Sequence, residues 1–370
     1  MTETADVIVI GGGMAGIGAA ARIAPDAKVI VLEAEEAPGS HATGRSAAIF
    51  VANYGNSVIR AANAASFAEL AEPPEDLAET PLLTPRGEIV IATPEEEGLF
   101  ERHISAATDT EEISPAEAVA HFPILREENI ARACYERAAS DIDVDRLLQG
   151  YLRLLRRQGG RLATEARLQA MDRRQGVWRL KTSAGNFEAP VVVNAAGAWA
   201  DEVAALSGLP KIGLTPFRRS AALLPVPTGC DVSTWVAVVS MSESWYAKPE
   251  AGKLMVSPAD EDPVDPHDAW PDDMVLAEGL DRYAQAVTTP VTRVERSWAG
   301  LRTFAPDRTP VVGFDPAAEG FFWQAGQGGY GIQTAPALSR LAAALIRGDS
   351  GATVLPAATV SALAPSRLRG

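Results

Sequence analysis

The stretch Asp6-Val-Ile-Val-Ile-Gly-Gly-Gly-Met-Ala-Gly-Ile17 decides how this chain folds. Its first half is an apolar, β-branched run that stops at three glycines, and the small-residue stretch Met14 to Ala24 is spaced as a helix ending before Pro25. A second apolar run, Lys28-Val-Ile-Val-Leu-Glu33, completes a βαβ unit of about 30 residues. Gly11, Gly13 and Gly16, with Met14 and Ala15 between them, supply a tight bend, close approach of backbone to a ligand, and close helix–strand contact. The N–H groups at the helix start suit a pyrophosphate. Glu33, followed by Ala34, stands where a carboxylate accepts from both hydroxyls of a ribose and repels a 2′-phosphate. The turn is thus a dinucleotide site that disfavours NADP and leaves NAD and FAD open.

Composition narrows the field. With 370 residues, 47% of them hydrophobic, the chain can bury a large core, and two interleaved lobes are expected. A net charge of −15 opposes nucleic acid as a partner, because phosphates are neutralised by Lys and Arg. Apolar runs such as Val7 to Ile10 and Leu341 to Ile346 fall far short of the roughly 20 residues that span a bilayer. The acidic start Met1 to Asp6 lacks the basic and apolar regions of a signal peptide, so a cytoplasmic protein is expected. Cys134 and Cys230 stand apart, and His41, His103, His121 and His267 show no ligand spacing, so neither a disulfide framework nor a metal site is expected.

Further along, helices are predicted at Val58 to Ala71, Pro94 to Ala106, Pro115 to His121, Asp143 to Gln158 and Ala335 to Ile346, with a strand at Gly87 to Ala92. Residues 211–300 read as short strands with turns, among them Val291 to Ala299, and Asp260 to Pro271 as an exposed acidic loop. The tail after Ser350 carries little signal.

Three more stretches carry a resemblance. Gly39-Ser-His-Ala-Thr-Gly-Arg-Ser-Ala-Ala48, Val192-Val-Asn-Ala-Ala-Gly-Ala-Trp199, and Trp298-Ala-Gly-Leu-Arg302 with Gly326-Gln-Gly-Gly-Tyr-Gly-Ile-Gln333 resemble the motifs of the D-amino-acid oxidase and sarcosine oxidase superfamily of flavoproteins. Within it the chain is similar to the bacterial D-arginine dehydrogenase branch, through nearly its whole length up to about residue 350. The resemblance implies an α/β, two-lobed α+β architecture. A Rossmann-like FAD-binding domain of the glutathione-reductase type (1–50, 136–210 and 300–370) is interleaved with a mixed-sheet substrate domain (51–135 and 211–299). It implies non-covalent FAD, which the lack of a second glycine turn for a nicotinamide also favours. Thr43, Gly44, Arg45, Ser46, Ala47, Ala196, Gly197, Trp199, Gly328, Gly329, Tyr330, Gly331 and Ile332 would then face the cofactor.

For the substrate, the resemblance implies that Arg219 and Arg302 hold a carboxylate, a task that suits the planar, permanently charged guanidinium fork. Arg302 would also face the cofactor. Arg218, beside Arg219, is the alternative bearer of that role. Tyr54 and Tyr246 would line the site, Gln333 would make a polar or water-mediated contact, and Glu88 would pair with a cationic side chain. Ile49 and Val51 stand where the D-arginine branch has His and Thr, and Ala237 replaces a larger apolar residue while Val239 is kept, changes that favour a bulkier or more apolar side chain. The implied reaction is oxidation of a D-amino acid, D-Arg or D-Lys or a broad range, by hydride transfer to flavin N5, with the imine hydrolysing to a 2-oxo acid and ammonia. The acceptor is left open among a quinone, an electron-transfer protein and oxygen. The rival readings are a glycine- or sarcosine-type oxidase using oxygen, a flavin-binding redox sensor without turnover and, more distantly, a 2-hydroxy-acid oxidoreductase.

Overall fold

The computed structural model describes residues 2–227 and 229–369. Strands Val7–Ile10 and Val29–Leu32 lie at the centre of a six-stranded sheet whose order is Arg161–Ala163, Val29–Leu32, Val7–Ile10, Val191–Asn194, Phe321–Ala325, Val311–Phe314. Every neighbouring pair is parallel except the last. The two central strands are buried on both faces, which is why they read as unbroken apolar runs. Val7, Val9, Val29 and Val31 pack beneath helices Met14–Ile23, Val144–Arg157 and Ala335–Ile346. Ile8, Ile10, Ile30 and Leu32 face Met171, Trp178, Leu180 and Phe187 of a four-stranded sheet on the other side.

The glycine turn has no slack. A Cβ on Gly16 would lie 1.9 Å from the Gly11 carbonyl oxygen, and one on Gly11, whose φ is +109°, would lie 2.3 Å from the Ala195 oxygen. Side chains at either position would force the helix off the strand.

The second lobe is built on an eight-stranded sheet in the order Arg296–Phe304, Thr215–Leu224, Lys253–Ser257, Tyr246–Glu250, Ala237–Ser240, Glu88–Ala92, Arg132–Glu136, Glu111–Ile113. Strand alternation divides most of its residues between two faces. Ile89, Ile91, Ala133, Tyr135, Val238, Ala247 and Val256 join a core with Leu276, Leu280 and Tyr283. Glu88, Val90, Cys134, Glu136, Ala237, Val239, Tyr246 and Arg219 line a cavity facing the nucleotide-binding turn.

The structure departs from the sequence-based expectations in five places. Asp273–Ala286, read among strands and turns, is a helix. The Asp272 carboxylate caps it by accepting from Met274 and Val275 N–H, and Leu276, Gly279, Leu280 and Tyr283 are buried at helical spacing. The strand expected to end at Ala299 runs from Arg296 to Phe304, held by its pairing with Thr215–Leu224 across the expected boundary at 300. Residues 57–82, counted with the substrate lobe, supply Ala62, Leu70, Leu77, Ala78 and Leu82 to the core under the six-stranded sheet, and helix Ser57–Ala71 packs on Ala335–Ile346. The 260–271 segment is not wholly exposed: buried Asp260 accepts from the Ser220 N–H at 2.6 Å and from its hydroxyl at 2.8 Å. The tail forms helix Ala357–Leu363 and is tied down by Arg367 on Asp307 and Arg369 on Asp315. No helix among the described residues is long and apolar enough to cross a membrane.

The tail anchor is testable. The Asp315 side chain is fully enclosed, with Arg369 Nη2 at 2.5 Å and Trp323 Nε1 at 2.9 Å. Arg369→Ala leaves a buried carboxylate short of its cation, at a cost of about 1–3 kcal/mol. A melting curve should show a midpoint several degrees lower; an unchanged midpoint would mean that the tail does not contribute.

Candidate active site

Both lobes line one cavity of about 900 Å3, toward the upper end of the usual range for small-molecule sites. At its nucleotide end lie Gly11, Gly13, Met14, Ala15, Glu33, Ala34, Thr43, Ser46, Ala47, Ala196, Gly197 and Trp199. Glu33 is buried; one carboxylate oxygen accepts from Gly12 N–H at 2.6 Å and the other from Glu35 N–H at 2.9 Å. These bonds lock its carboxylate at the glycine turn. The Thr43 hydroxyl accepts from Met14 N–H at 3.0 Å, so it braces the helix start. Gly16 and Gly44 sit behind the wall: Gly16 is pressed to Gly11, and Gly44 donates to the Gly39 carbonyl at 2.9 Å. Arg45 borders the cavity, but its guanidinium is taken up by the Ala269 and Ala299 carbonyls and by Asp268, tying the 42–45 turn to the second lobe.

The wall also carries polar atoms with no partner. Thr303 Oγ1, both amide atoms of Gln324 and Gln327 Nε2 are buried without a hydrogen bond, and all three residues line the cavity. Buried polar groups left without a protein partner point to a heteroatom-rich ligand. With the glycine turn and Glu33, they fit a dinucleotide. Sequence reasoning passed over them. A glutamine inside the otherwise apolar strand Phe321-Phe-Trp-Gln-Ala325 was the available signal.

At the other end, strand register decides between Arg218 and Arg219. Phe217 pairs with Arg302 and Arg219 with Gly300, so Arg219 and Arg302 share a face on adjacent strands. Both line the cavity. Arg218 points the opposite way, to Asp260 and Asp262. Among the described residues, Arg219 Nε is buried with no partner and its one ion-pair contact is Glu261 at 3.5 Å. Burial, then the neighbouring Arg302, pull its pKa below the usual arginine value. Arg302 Nη1 donates to the Tyr54 hydroxyl at 3.2 Å. Burial opposes the Arg302 cation, but Tyr54, Tyr246, Glu243 and Tyr330 outweigh it and hold the pKa above normal.

The remaining expected residues converge here with one change of role. Tyr54 and Tyr330 pack with ring centres 4.9 Å apart, and Tyr246, Gly328, Gly329, Gly331 and Ile332 line the same cavity. Gln333 also borders it, but its amide exchanges bonds with the Val51 backbone, accepting at 3.1 Å and donating at 3.4 Å. It therefore pins the loop that carries Tyr54. Burial, then Glu136 and Glu243, push the Glu88 carboxyl up to about 8. Glu136, Asn53, Glu243 and Arg308 were not anticipated, since each lies outside the quoted motifs and reaches the cavity only through the fold.

The family model described as FAD dependent oxidoreductase (DAO) matches residues 6–345. The chain belongs to this family. FAD is its cofactor. FAD-dependent oxidoreductase domain-containing protein 1 of Bos taurus is 26% identical over 315 residues, covering 74% of this chain and 64% of that protein. The chain thus spans less than two thirds of that relative's length. Two solved structures share the fold of this DAO-family chain. Glycine oxidase from Geobacillus kaustophilus superimposes with a TM-score of 0.83 at 24% identity, covering 94% of this chain and 96% of that one. L-proline dehydrogenase from P. horikoshii gives 0.86 at 22% identity, covering 100% and 99%.

Glu33 provides a test of cofactor retention apart from turnover. A hydrogen bond to a charged group contributes about 1.5–3 kcal/mol, so Glu33→Ala should weaken FAD binding roughly 10–100-fold. The flavin-to-protein absorbance ratio and a fluorescence titration of apoprotein would read this. Full flavin occupancy with unchanged affinity would remove Glu33 from the site.

Proposed function

We propose that this DAO-family protein oxidises D-amino acids at the α-carbon, with D-arginine and D-lysine among its substrates. One observation carries the reading: two arginines share a cavity wall, one with a buried, orphaned N–H, and among the described residues the one ion pair either makes with a carboxylate is the long Arg219–Glu261 contact at 3.5 Å. Like charges held together away from water call for an anion, and a carboxylate matches the guanidinium fork. The names of the two similar structures, glycine oxidase and L-proline dehydrogenase, support an amino-acid substrate.

The chain's own contribution is orientation. Arg219 and Arg302 would take the carboxylate, and the Tyr54 and Tyr246 rings would wall the α-carbon. Glu88, opposite Ala237 in the next strand, would meet a cationic side chain. With carboxylate and side chain both anchored, only one enantiomer presents its α-hydrogen to the flavin position, and the resemblance to the D-arginine branch selects D. FAD, when bound, supplies the two-electron acceptor. An amine that arrives neutral needs no protein base, and water hydrolyses the departing imine to the 2-oxo acid and ammonia. Ile49, Val51 and Ala237 add apolar surface to the cavity that holds the Glu88 carboxyl, which suits a broad range.

Anaerobic addition of D-arginine should bleach the flavin, and turnover with an artificial acceptor against oxygen would separate a dehydrogenase from an oxidase. Removing one partner of a buried charge pair costs about 2–5 kcal/mol. Arg302→Met should therefore lower kcat/KM for D-arginine by roughly 30- to several-thousand-fold while yellow flavin stays bound. Normal turnover in that variant would reject the carboxylate clamp. Bleaching by glycine or sarcosine alone would favour the oxidase reading, and failure with every amine and amino acid the redox-sensor one.

A further inference from the structure

Glu88 and Glu136 stand directly opposite each other in the antiparallel pair Glu88–Ala92 and Arg132–Glu136. Their side chains therefore leave the sheet on the same face, with Cβ atoms about 5 Å apart. The two carboxyls differ in what surrounds them. Glu136 is buried, and its oxygens accept from Ala52 N–H and from Asn53 Nδ2, each at 2.7 Å. Glu88 borders the cavity, and among the described residues its carboxyl meets no hydrogen-bond donor and no cation.

The surroundings offer Glu88 no compensating charge. From its own sheet, Cys134 and Glu136 face it, and Glu243 adds a second negative charge from the turn after Ala237–Ser240. Lys248 lines the cavity two strands away, but Asp141 at 2.6 Å and Glu250 at 3.1 Å hold its ammonium. His103 comes from helix Glu97–Ala106, where burial and Arg60 favour its neutral form. Arg60, from helix Ser57–Ala71, gives its N–H groups to the Gly55 and Ala106 carbonyls and acts on Glu136 at longer range. Tyr246, Arg219 and Arg302 stand at the far end, where the two cations oppose each other and Arg302 is bonded to Tyr54. Burial raises both carboxyls, Glu136 against its donors from Asn53 and Ala52, and Glu88 to about 8.

We propose that Glu88 and Glu136 are a proton-sharing pair that sets the charge preference of the side-chain pocket, Glu88 as the contact and Glu136 as a positioning residue behind it. In the substrate-free protein the pair keeps a proton, because two carboxyls directly opposite each other in a strand pair, with Glu243 nearby, resist ionising together. A guanidinium entering the pocket takes its place: the Glu88 O–H bond breaks, the proton goes to solvent, and the carboxylate pairs with the cation. No electrons move in this step. A neutral side chain leaves the proton where it is and meets an uncharged carboxyl among Ala237, Val239 and Ile49. One pocket thus accepts both classes, and pH sets the balance between them. Glu136 also holds Ala52 and Asn53, so the carboxyl that tunes Glu88 is bonded to the loop that carries Tyr54.

This inference rests on the D-amino-acid reading above. Its test is kcat/KM of the holoenzyme for D-arginine and for D-norleucine from pH 6 to 9.5 with an artificial acceptor. The α-amine is common to both substrates, so its ionisation largely cancels in the ratio. Below about pH 8 a proton must leave for the cation to bind, so the D-arginine to D-norleucine ratio should rise by up to ~10-fold per pH unit and level off above. Glu136→Gln removes the opposing charge and should move the bend to lower pH; Glu88→Gln should flatten the profile. A flat wild-type ratio with both amino acids oxidised would overturn the pair while leaving the D-amino-acid reading intact. So would an unmoved bend in a Glu136→Gln protein that binds flavin and melts like the parent. If that variant fails to fold, the Glu88→Gln profile decides alone, and a retained bend counts against the proposal. No bleaching by either amino acid overturns both readings.

Discussion

A gap one hydrogen atom wide, between the Gly16 α-carbon and the Gly11 carbonyl oxygen, sets the geometry of the molecule. Because no side chain separates them, helix Met14–Ile23 lies directly on the end of strand Val7–Ile10 and brings its first residues to the cavity wall. Glu33 and Thr43 are bonded to that turn rather than merely near it, so its backbone fixes where both side chains stand. The strands Val191–Asn194 and Phe321–Ala325 take their register from the same sheet. They bring Ala196, Gly197 and Gln324 to the cavity wall.

The second lobe contributes through alternation. One face of its eight-stranded sheet is spent on an apolar core with helix Asp273–Ala286, and the other holds the polar groups of the cavity. A side chain's parity in its strand therefore settles its role. Arg219 reaches the cavity, whereas Arg218, one residue earlier, joins the Asp260 and Asp262 carboxylates outside it.

The cavity is electrically polar. Arg219 and Arg302 occupy one end, while Glu88 and Glu136 face each other on strands at the other side and Glu243, in the turn after Ala237–Ser240, acts on both Glu88 and Arg302. An amino acid with a cationic side chain is the mirror of that arrangement, negative at its carboxylate and positive at its far end. Low local dielectric strengthens such matching and penalises each charge that lacks a partner.

The amino-acid sequence by itself determined the βαβ unit, the dinucleotide turn and its carboxylate. These depend on residues less than 30 positions apart, whose glycine spacing and β-branched runs act locally. The motifs around Thr43, Gly197, Arg302 and Gly328 were also legible, as short runs of unusual residues that line the cavity. Helix Asp273–Ala286 had a readable cap and spacing but was masked by the strands around it, and residues 57–82 were assigned to the wrong core because packing partners 270 positions away leave no local mark. Only the tertiary structure could pair Glu88 with Glu136, send Arg218 to Asp260 and Asp262, turn Gln333 toward Val51 and expose Gln324 as an orphan in the wall. Each of these rests on strand register and burial, which arise between distant segments and exist only once the sheets have formed.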